Sequence, residues 1–139
     1  MPANSVPGRI LLLEDEPIIC KVVTRMLKAE ELDIDVANNG LIAKEKIEAG
    51  NEYDLFIFDI RTPVIDGMQL FEFLEKEYPE LTQKVIFATG DCLNAATSAF
   101  LERVKRPFLV KPYTPDQIKS LMRQVYNWES PLVEITRIN

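Results

Sequence analysis

The most informative absence in this sequence is histidine, because none of its 139 residues is one. Catalysis by a histidine base and metal binding by imidazole are therefore excluded within this chain. Cysteine is scarce too. The two present, Cys20 and Cys92, have a spacing that matches neither a metal knuckle nor a disulfide framework. We expect both to be reduced thiols, as in the cytoplasm.

Long apolar runs and a basic surface are also missing. No apolar run approaches the ~20 residues that a membrane-spanning helix needs, and Met1–Gly8 lacks the apolar core of a signal peptide. Acidic residues outnumber basic ones, 22 to 16, for a net charge of -6. The one small basic cluster, Arg103, Lys105 and Arg106, is typical of a solvated helix end rather than a nucleic-acid footprint. We therefore expect a cytoplasmic protein whose partners are neither nucleic acids nor membranes.

The apolar residues that are present make up 47% of the chain, enough for one good core. Short apolar runs predict five strands at about 10–13, 32–36, 55–58, 85–88 and 108–110. Helical spacing and capping signals predict helices at about 17–27, 41–49, 66–78, 93–101 and 114–125. The second strand alternates apolar with acidic residues, which places it at a sheet edge. Strands alternating with helices predict a doubly wound α/β fold, a parallel sheet with helices on both faces.

One domain accounts for most of the chain. We assign residues 1–8 to an N-terminal tail, 9–127 to the domain, and 128–139 to a C-terminal tail or linker. The first segment holds two prolines, a glycine and small polar residues. The last segment is too short for another folded unit.

Reactive side chains follow four of the five predicted strands. They are Glu14 and Asp15 after the first, Asp59 after the third, Thr89 after the fourth and Lys111 after the fifth. The carboxyl ends of parallel strands share one edge, where open α/β sheets bind ligands. We therefore expect three carboxylates, a hydroxyl and an ammonium to meet above the sheet.

Three carboxylates at one edge need a counter-charge. Two of them ~5 Å apart repel by ~3 kcal/mol at an effective dielectric of ~20, and one lysine cannot offset three. Mg²⁺ prefers oxygen ligands and would supply the missing charge. A metal, a hydroxyl and a lysine around a carboxylate are the parts of a phosphoryl-transfer site, with Asp59 as nucleophile. The alternative, in which Glu14 and Asp15 only cap a helix, accounts for one of them.

The chain resembles the receiver domain of two-component response regulators (CheY-like) from about Arg9 to Asn127. The resemblance rests on motifs that occur in order: Glu14-Asp15, Asp59, the loop with Pro63 and Asp66-Gly67, Thr89, and Lys111-Pro112. It implies a flavodoxin-like five-stranded sheet of order 2-1-3-4-5. Two positions depart from the usual pattern, because Glu14 stands where Asp is commoner and Thr62 replaces Met.

The resemblance also implies a mechanism. Asp59 would take a phosphoryl group from a phosphohistidine on a histidine kinase or histidine phosphotransfer protein, and the lack of histidine here agrees with an outside donor. Asp15, Asp59 and the backbone carbonyl of Arg61 would bind Mg²⁺ directly, with Glu14 acting through water. Thr89 and Lys111 would contact the phosphoryl oxygens. The Lys111-Pro112 bond is often cis in such domains.

A switch to a downstream protein target is implied as well. Thr89 would move toward the phosphoryl group and Phe108 would follow, reshaping the face of helix 4, strand 5 and helix 5. A homodimer that forms on phosphorylation is an alternative to a separate protein target. The alternative for Phe108 is an ordinary core residue of an edge strand. Apolar residues of the first helix would divide between core and partner docking, namely Ile19, Val22, Val23 and Met26.

Three residues would flank the phosphorylation pocket. Arg61 and Asp91 would tune how fast water removes the phosphoryl group, or they would pair with each other in a weak salt bridge. Gly90 would leave room for phosphoryl entry, or it is only a turn glycine.

Two other functions remain as alternatives. Phosphatases of the haloacid-dehalogenase type also use an Asp nucleophile with Mg²⁺, but they need a second Asp two residues later, where this chain has Arg61. A degenerate receiver would bind partners without phosphorylation, although all the phosphorylation residues are present. We expect a signalling module rather than an enzyme, either stand-alone or part of a hybrid histidine kinase, limited to self-phosphorylation and slow dephosphorylation.

Overall fold

The computed structural model describes residues 8–90 and 94–126. Its strands are β1 Arg9–Leu13, β2 Asp33–Ala37, β3 Leu55–Asp59, β4 Val85–Thr89 and β5 Phe108–Val110. Its helices are α1 Pro17–Lys28, α2 Gly40–Glu48, α3 Gly67–Glu77, α4 Ala95–Val104 and α5 Pro115–Tyr126. A 3₁₀ turn at Pro79–Lys84, which was not predicted, leads into β4. The predicted tails lie almost wholly outside the described residues.

All five strands are parallel, in the order β2-β1-β3-β4-β5. The predicted doubly wound, flavodoxin-like fold is therefore confirmed, with β2 at an edge as its alternating pattern indicated. β3 lies at the centre and all of its residues are buried. In the register, Leu13 lies beside Phe58, and Asp59 lies beside Ala88. The carboxyl ends of β1, β3 and β4 therefore reach one level of the sheet edge.

Two apolar layers cover the sheet. Strand residues such as Leu11, Phe56 and Phe58 pack with α2, α3 and α4 on one face. Their neighbours Ile10 and Leu12 pack with α1 and α5 on the other. Burying one such side chain contributes about 1.5–3 kcal/mol relative to leaving it exposed. Among the described residues no helix combines the length and apolar character needed to cross a membrane.

Capping residues explain where the helices begin. Asp66 accepts the Gln69 backbone N–H at 2.8 Å while the Gln69 side chain accepts the Asp66 N–H at 3.0 Å, which is the predicted capping box. The predicted box of Thr114 and Gln117 is present too, at 2.8 and 3.2 Å. Helix α4 begins later and ends later than predicted. The Asn94 side chain caps it by accepting two backbone N–H groups, at 3.0 and 3.2 Å.

Helix α4 contains a buried polar group without a partner. Thr97 is 0% exposed, and its hydroxyl makes no hydrogen bond in the described part of the chain. Leaving a buried hydroxyl unpaired costs about 1–3 kcal/mol. The contact between α4 and the sheet is therefore weaker than its apolar residues alone would provide.

Replacing Thr97 by Val should stabilise the protein, because valine keeps the shape and removes the unpaired hydroxyl. We expect Thr97→Val to raise the free energy of unfolding in urea by about 1 kcal/mol. Thr97→Ser is the matched control, since it keeps the hydroxyl and loses a methyl group, and it should be destabilising. Equal stability losses in both variants would show that the hydroxyl is not a cost.

Candidate functional site

The site is built around Asp59, the last residue of β3. The four residues before it in β3 are apolar, so they offer no side chain that could pair with its charge. Asp59 itself lies at the carboxyl edge of the sheet. Asp59 is only 5% exposed. One carboxylate oxygen, Oδ1, accepts the Arg61 backbone N–H at 3.2 Å, and Oδ2 lies 2.9 Å from Lys111 Nζ. This buried carboxylate therefore has a partner for each oxygen.

Lys111 joins the carboxylates from two strand ends. Its ammonium nitrogen lies 2.7 Å from Glu14 Oε1, 2.9 Å from Asp59 Oδ2 and 3.8 Å from Glu16 Oε1. The Lys111 backbone is fixed beside β4, because its N–H donates to the Thr89 carbonyl at 2.8 Å. The Lys111-Pro112 peptide bond is cis. Lys111 therefore connects the ends of β1, β3, β4 and β5.

Three carboxylates converge as the sequence predicts. Glu14, Asp15 and Asp59 each offer one oxygen, and these oxygens lie within 4.8 Å of one another. Glu14 and Asp59 are buried, whereas Asp15 is exposed. A donor set made only of oxygen suits a hard cation such as Mg²⁺ better than a softer metal. The residues present therefore fit the predicted ion.

Burial dominates the electrostatics of this cluster. It raises the pKa of Glu14 to about 7, because the hydrogen bond from Lys111 offsets only part of the desolvation and the charge of Asp59 adds to it. Burial alone would lower the pKa of Lys111. The hydrogen bonds to Glu14 and Asp59 outweigh that effect and raise it, so the lysine stays charged. Near neutral pH the lysine is therefore charged, whereas Glu14 takes up a proton more readily than an exposed glutamate does.

The β3–α3 loop packs tightly against Asp59. A Cβ on Gly67 would lie 2.3 Å from the Asp59 carbonyl oxygen, so only glycine allows α3 to begin there. In the loop between Asp59 and Gly67, the Ile65 N–H donates to the Pro63 carbonyl at 2.9 Å. This hydrogen bond closes a three-residue turn around Val64. Val64 has a φ of 70°, a rare conformation for a β-branched residue, and is 71% exposed. This loop therefore holds local strain beside the site.

Among the other predicted switch and pocket residues, Thr89 and Gly90 lie at the end of β4 and Phe108 lies on β5. Thr89 is 1% exposed and follows Ala88, the register partner of Asp59. A Cβ on Gly90 would meet no atom of the described residues within 4 Å. Phe108 is 42% exposed, which the core-residue alternative does not explain. Asp91, and with it the predicted pairing to Arg61, lies outside the described residues.

An apolar groove adjoins the site between α1 and the β5–α5 connection. Its volume is about 470 Å³, and it extends from Ile18 and Val22 to Gly90 and Lys111. The structure divides the predicted docking residues of α1. Val23 is in the core at 2% exposure, Val22 is 60% exposed, and Ile19 and Met26 pack partly against the core.

Two residues near the site had not been singled out from the sequence. Glu16 approaches Lys111, and its place in the run Glu14-Asp15-Glu16 was the available signal. Tyr113 lines the groove, and its buried hydroxyl has no hydrogen-bond partner among the described residues. Burial raises the pKa of Tyr113 to about 12. No sequence pattern distinguishes this tyrosine from an ordinary loop aromatic.

Comparison with known proteins gives a consistent family. A model of the response regulator receiver domain matches residues 10–123. The chain is 30% identical to the probable transcriptional regulator ycf29 of Porphyra purpurea, over 84% of this chain and 55% of that protein. It is 28% identical to hybrid signal transduction histidine kinase M of Dictyostelium discoideum, over 84% of this chain but 5% of that protein. The chain thus spans about half or less of these relatives.

Solved structures share the fold. The receiver domain of sensor histidine kinase PA1611 from Pseudomonas aeruginosa, determined with a magnesium ion in its active site cleft, is 23% identical with a TM-score of 0.76. That match covers 88% of this chain and 99% of the other. A CheY-like receiver domain protein from Methanospirillum hungatei is 24% identical with a TM-score of 0.77, covering 88% and 95%.

The strain at Val64 can be measured as stability. Glycine adopts a positive φ freely, so Val64→Gly should raise the free energy of unfolding by about 1 kcal/mol, after allowance for the greater freedom of glycine in the unfolded chain. Val22→Gly is the control, since Val22 is also exposed but lies in α1, where glycine should cost about 0.5 kcal/mol relative to valine. A loss of stability in Val64→Gly would contradict the assignment of strain.

Proposed function

Because this chain belongs to the response regulator receiver domain family of two-component signalling, we propose that Asp59 accepts a phosphoryl group. One observation carries the proposal. Asp59 is a buried carboxylate at the end of the central strand, with Lys111 Nζ at 2.9 Å and oxygens of Glu14 and Asp15 within 4.8 Å. A nucleophile beside a fixed cation and a cation-binding cluster is the arrangement that phosphoryl transfer uses.

Mg²⁺ is the proposed cofactor. Asp15 and Asp59, with the backbone carbonyl of Arg61, would hold it. The fit of the all-oxygen donor set supports this, as does the magnesium ion in the related PA1611 receiver structure. When bound, the ion would neutralise charge on the phosphoryl oxygens.

The chain's own residues would do the rest. A carboxylate oxygen of Asp59 attacks phosphorus, the bond from phosphorus to the donor histidine nitrogen breaks, and an acyl phosphate forms. Lys111 is already placed to contact a phosphoryl oxygen. The Thr89 hydroxyl would bind another, and Gly90, which has no side chain, would leave room for the group. The proposed donor is a phosphohistidine on a kinase or phosphotransfer protein; it would lie outside this chain, which contains no histidine.

The donor would dock over the groove beside α1. This groove leads directly to Lys111 and Gly90, so a partner seated there would bring its histidine to the acceptor. The exposed Ile18 and Val22 give it an apolar contact surface. Of the apolar α1 residues that the sequence could not assign to core or docking, the exposed Val22 would then be a docking residue and the buried Val23 a core residue.

The output would be a change in the face formed by α4, β5 and α5. Phe108 and Val110 of β5 are 42% and 47% exposed, so this face presents apolar side chains to a partner protein or a second copy. Thr89 and Lys111 are joined by a backbone hydrogen bond of 2.8 Å, which gives the site a direct connection to β5. The chain would act as a signalling module, alone or as one part of a longer kinase or regulator.

Phosphorylation with a small donor tests the proposal. We expect wild-type protein incubated with acetyl phosphate and Mg²⁺ to gain the mass of one phosphoryl group, and EDTA to prevent the gain. Asp59→Ala should gain none. Asp33→Asn, which changes an exposed carboxylate of β2, should behave as wild type.

Three results would contradict this assignment. Absence of an adduct on the wild type would favour a receiver that works without phosphorylation. An adduct on Asp59→Ala would place the acceptor elsewhere. Steady phosphate release from many phosphomonoesters would favour a phosphatase of the haloacid-dehalogenase type. Arg61 argues against that function, because it occupies the position where such a phosphatase needs its second aspartate.

Arg61 gives a separate prediction about phosphoryl lifetime. Its side chain is exposed two residues after Asp59, and we propose that it shields the acyl phosphate from water. Arg61→Ala should then shorten the lifetime by up to about tenfold, the effect of ~1.4 kcal/mol on the barrier. The measurement is phosphate release after removal of acetyl phosphate, with Arg25→Ala as a control on α1. Equal lifetimes in wild type and Arg61→Ala would rule out shielding.

A further inference from the structure

The two edges of the sheet differ in how they are protected. In the order β2-β1-β3-β4-β5, the strands β2 and β5 each have a single neighbour in the described sheet. β2 carries Asp33 and Asp35, and charged residues on an edge strand discourage pairing with another chain. β5 has the sequence Phe-Leu-Val and carries no charge. The edge at β5 is therefore the one that can receive a further strand.

The backbone of β5 has hydrogen-bonding groups on its outer side. The Lys111 N–H donates to the Thr89 carbonyl at 2.8 Å, and the Pro107 carbonyl accepts an N–H from β4 at 3.0 Å. Alternate residues of a strand direct their backbone groups to opposite sides, so positions 107, 109 and 111 face β4. The N–H and C=O groups of Phe108 and Val110 therefore point away from the described sheet.

Space for a strand lies along this outer side. Two grooves of about 330 and 500 Å³ border β5 and share Phe108, and the smaller is also lined by Gln117 and Ser120 of α5. Leu109 packs among the α1 and α5 residues, so Phe108 and Val110 point to the opposite face of the sheet. A strand beside β5 would thus meet polar side chains on the α5 face and exposed apolar ones on the other.

The chain's own C-terminal residues match this edge. Residues 127–139 follow α5 in the sequence. From Val133 to Thr136 they alternate apolar β-branched residues with polar ones, a pattern that predicts a strand with one apolar and one polar side. The apolar side would lie beside Phe108 and Val110, and the polar side would lie over the α5 groove.

The handedness of the fold argues against a parallel strand added within one chain. Helices α3 and α4 connect β3, β4 and β5 on one face of the sheet, whereas α5 packs on the other face. A parallel strand placed beyond β5 by α5 would complete a left-handed crossover, and about 98% of such connections are right-handed.

Chain length argues against an antiparallel strand within one chain. The 12 residues of α5 carry the chain about 18 Å back toward the amino edge of the sheet. Residues 127–131 span at most ~17 Å when extended, so they are used up in returning to the carboxyl end of β5. One residue then remains before Val133, fewer than the two that the commonest hairpin turns use. The β5 edge that the segment can reach is therefore that of another molecule.

We propose that two copies of this chain exchange their C-terminal segments, so that residues 132–136 of each copy add a strand to the free edge of β5 in the other. The exchange is reciprocal, as a two-fold dimer requires. Backbone hydrogen bonds to Phe108 and Val110 supply the attraction, and the alternating side chains select the segment. The inference goes beyond the proposed function and does not depend on Asp59 as the acceptor.

Hydrogen exchange of backbone amides and the mass in solution test the exchange together. Both are measured on the full 139-residue chain without a phosphoryl donor. We expect sedimentation equilibrium to give a dimer. We also expect the amides of Phe108 and Val110, followed by NMR, to exchange at least about tenfold more slowly than in a variant that cannot form the added strand.

Proline substitutions in the segment provide that variant. Changing Glu134 and Ile135 together to proline removes two adjacent N–H groups, one of which must face β5. Self-association should weaken by at least about tenfold, and the protection of Phe108 and Val110 should be lost. Ser130→Pro is the matched control, because it makes the same change before the strand pattern begins, and it should behave as wild type.

A substitution on β5 gives an independent reading. Val110→Lys places a charge on the receiving edge and should dissociate the dimer as the paired prolines do. Val22→Lys, at an exposed valine of α1, should leave the dimer intact.

Three outcomes would overturn the exchange. A monomer whose Phe108 and Val110 amides exchange freely would show that the edge stays open. A monomer in which those amides are protected until the prolines are introduced would show that the segment folds onto its own β5. A dimer that the paired prolines leave intact would place the contact on another surface.

Discussion

The structure depends on the pairing of Lys111 with two buried carboxylates. Glu14 and Asp59 come from different strands, and each is almost fully removed from water. Removing a charge from water costs several kcal/mol, and a cation held by the fold offsets part of that cost. Lys111 supplies that cation at 2.7 and 2.9 Å, and its backbone is tied to Thr89. The ends of four strands are thus joined by one residue, through its side chain to β1 and β3 and through its backbone to β4.

The same constraint explains why the reactive chemistry lies where it does. Helices cover both faces of the sheet, and β3 and β4 are buried along their whole length. Such strands have no polar face on which a site could form. In β3 and β4 the polar side chains are therefore confined to the carboxyl ends, where the chain leaves the core.

The sequence determined the fold well where local chemistry and burial agree. The run Leu55–Phe58 and the two capping boxes each have one physical explanation, and the structure shows the predicted elements. Helix α4 was placed less well, because its apolar pattern is weak and its boundary depends on the Asn94 cap. The convergence of Glu14, Asp15, Asp59 and Lys111 also followed from the sequence, since parallel strands bring those ends together.

What could not be predicted depends on distances and backbone angles. No pattern indicates that Glu14 rather than Asp15 reaches Lys111, because adjacent acids look alike until the chain is folded. The positive φ of Val64 belongs to a turn closed by the backbone hydrogen bond from Ile65 to Pro63, against the local preference of valine. The division of Val22 and Val23 between surface and core depends on how α1 is rotated against the sheet.

The close contact between Gly67 and the Asp59 carbonyl has a consequence for how this domain can diverge. One wall of the site is backbone against backbone, and any side chain at position 67 would have to displace β3 itself. At Gly90, by contrast, an added Cβ would meet none of the described residues within 4 Å. The two sides of the acceptor therefore differ in how much sequence change they tolerate. New kinetics and new partners can arise on the Gly90 side, while the Gly67 side is restricted to glycine for as long as the fold persists.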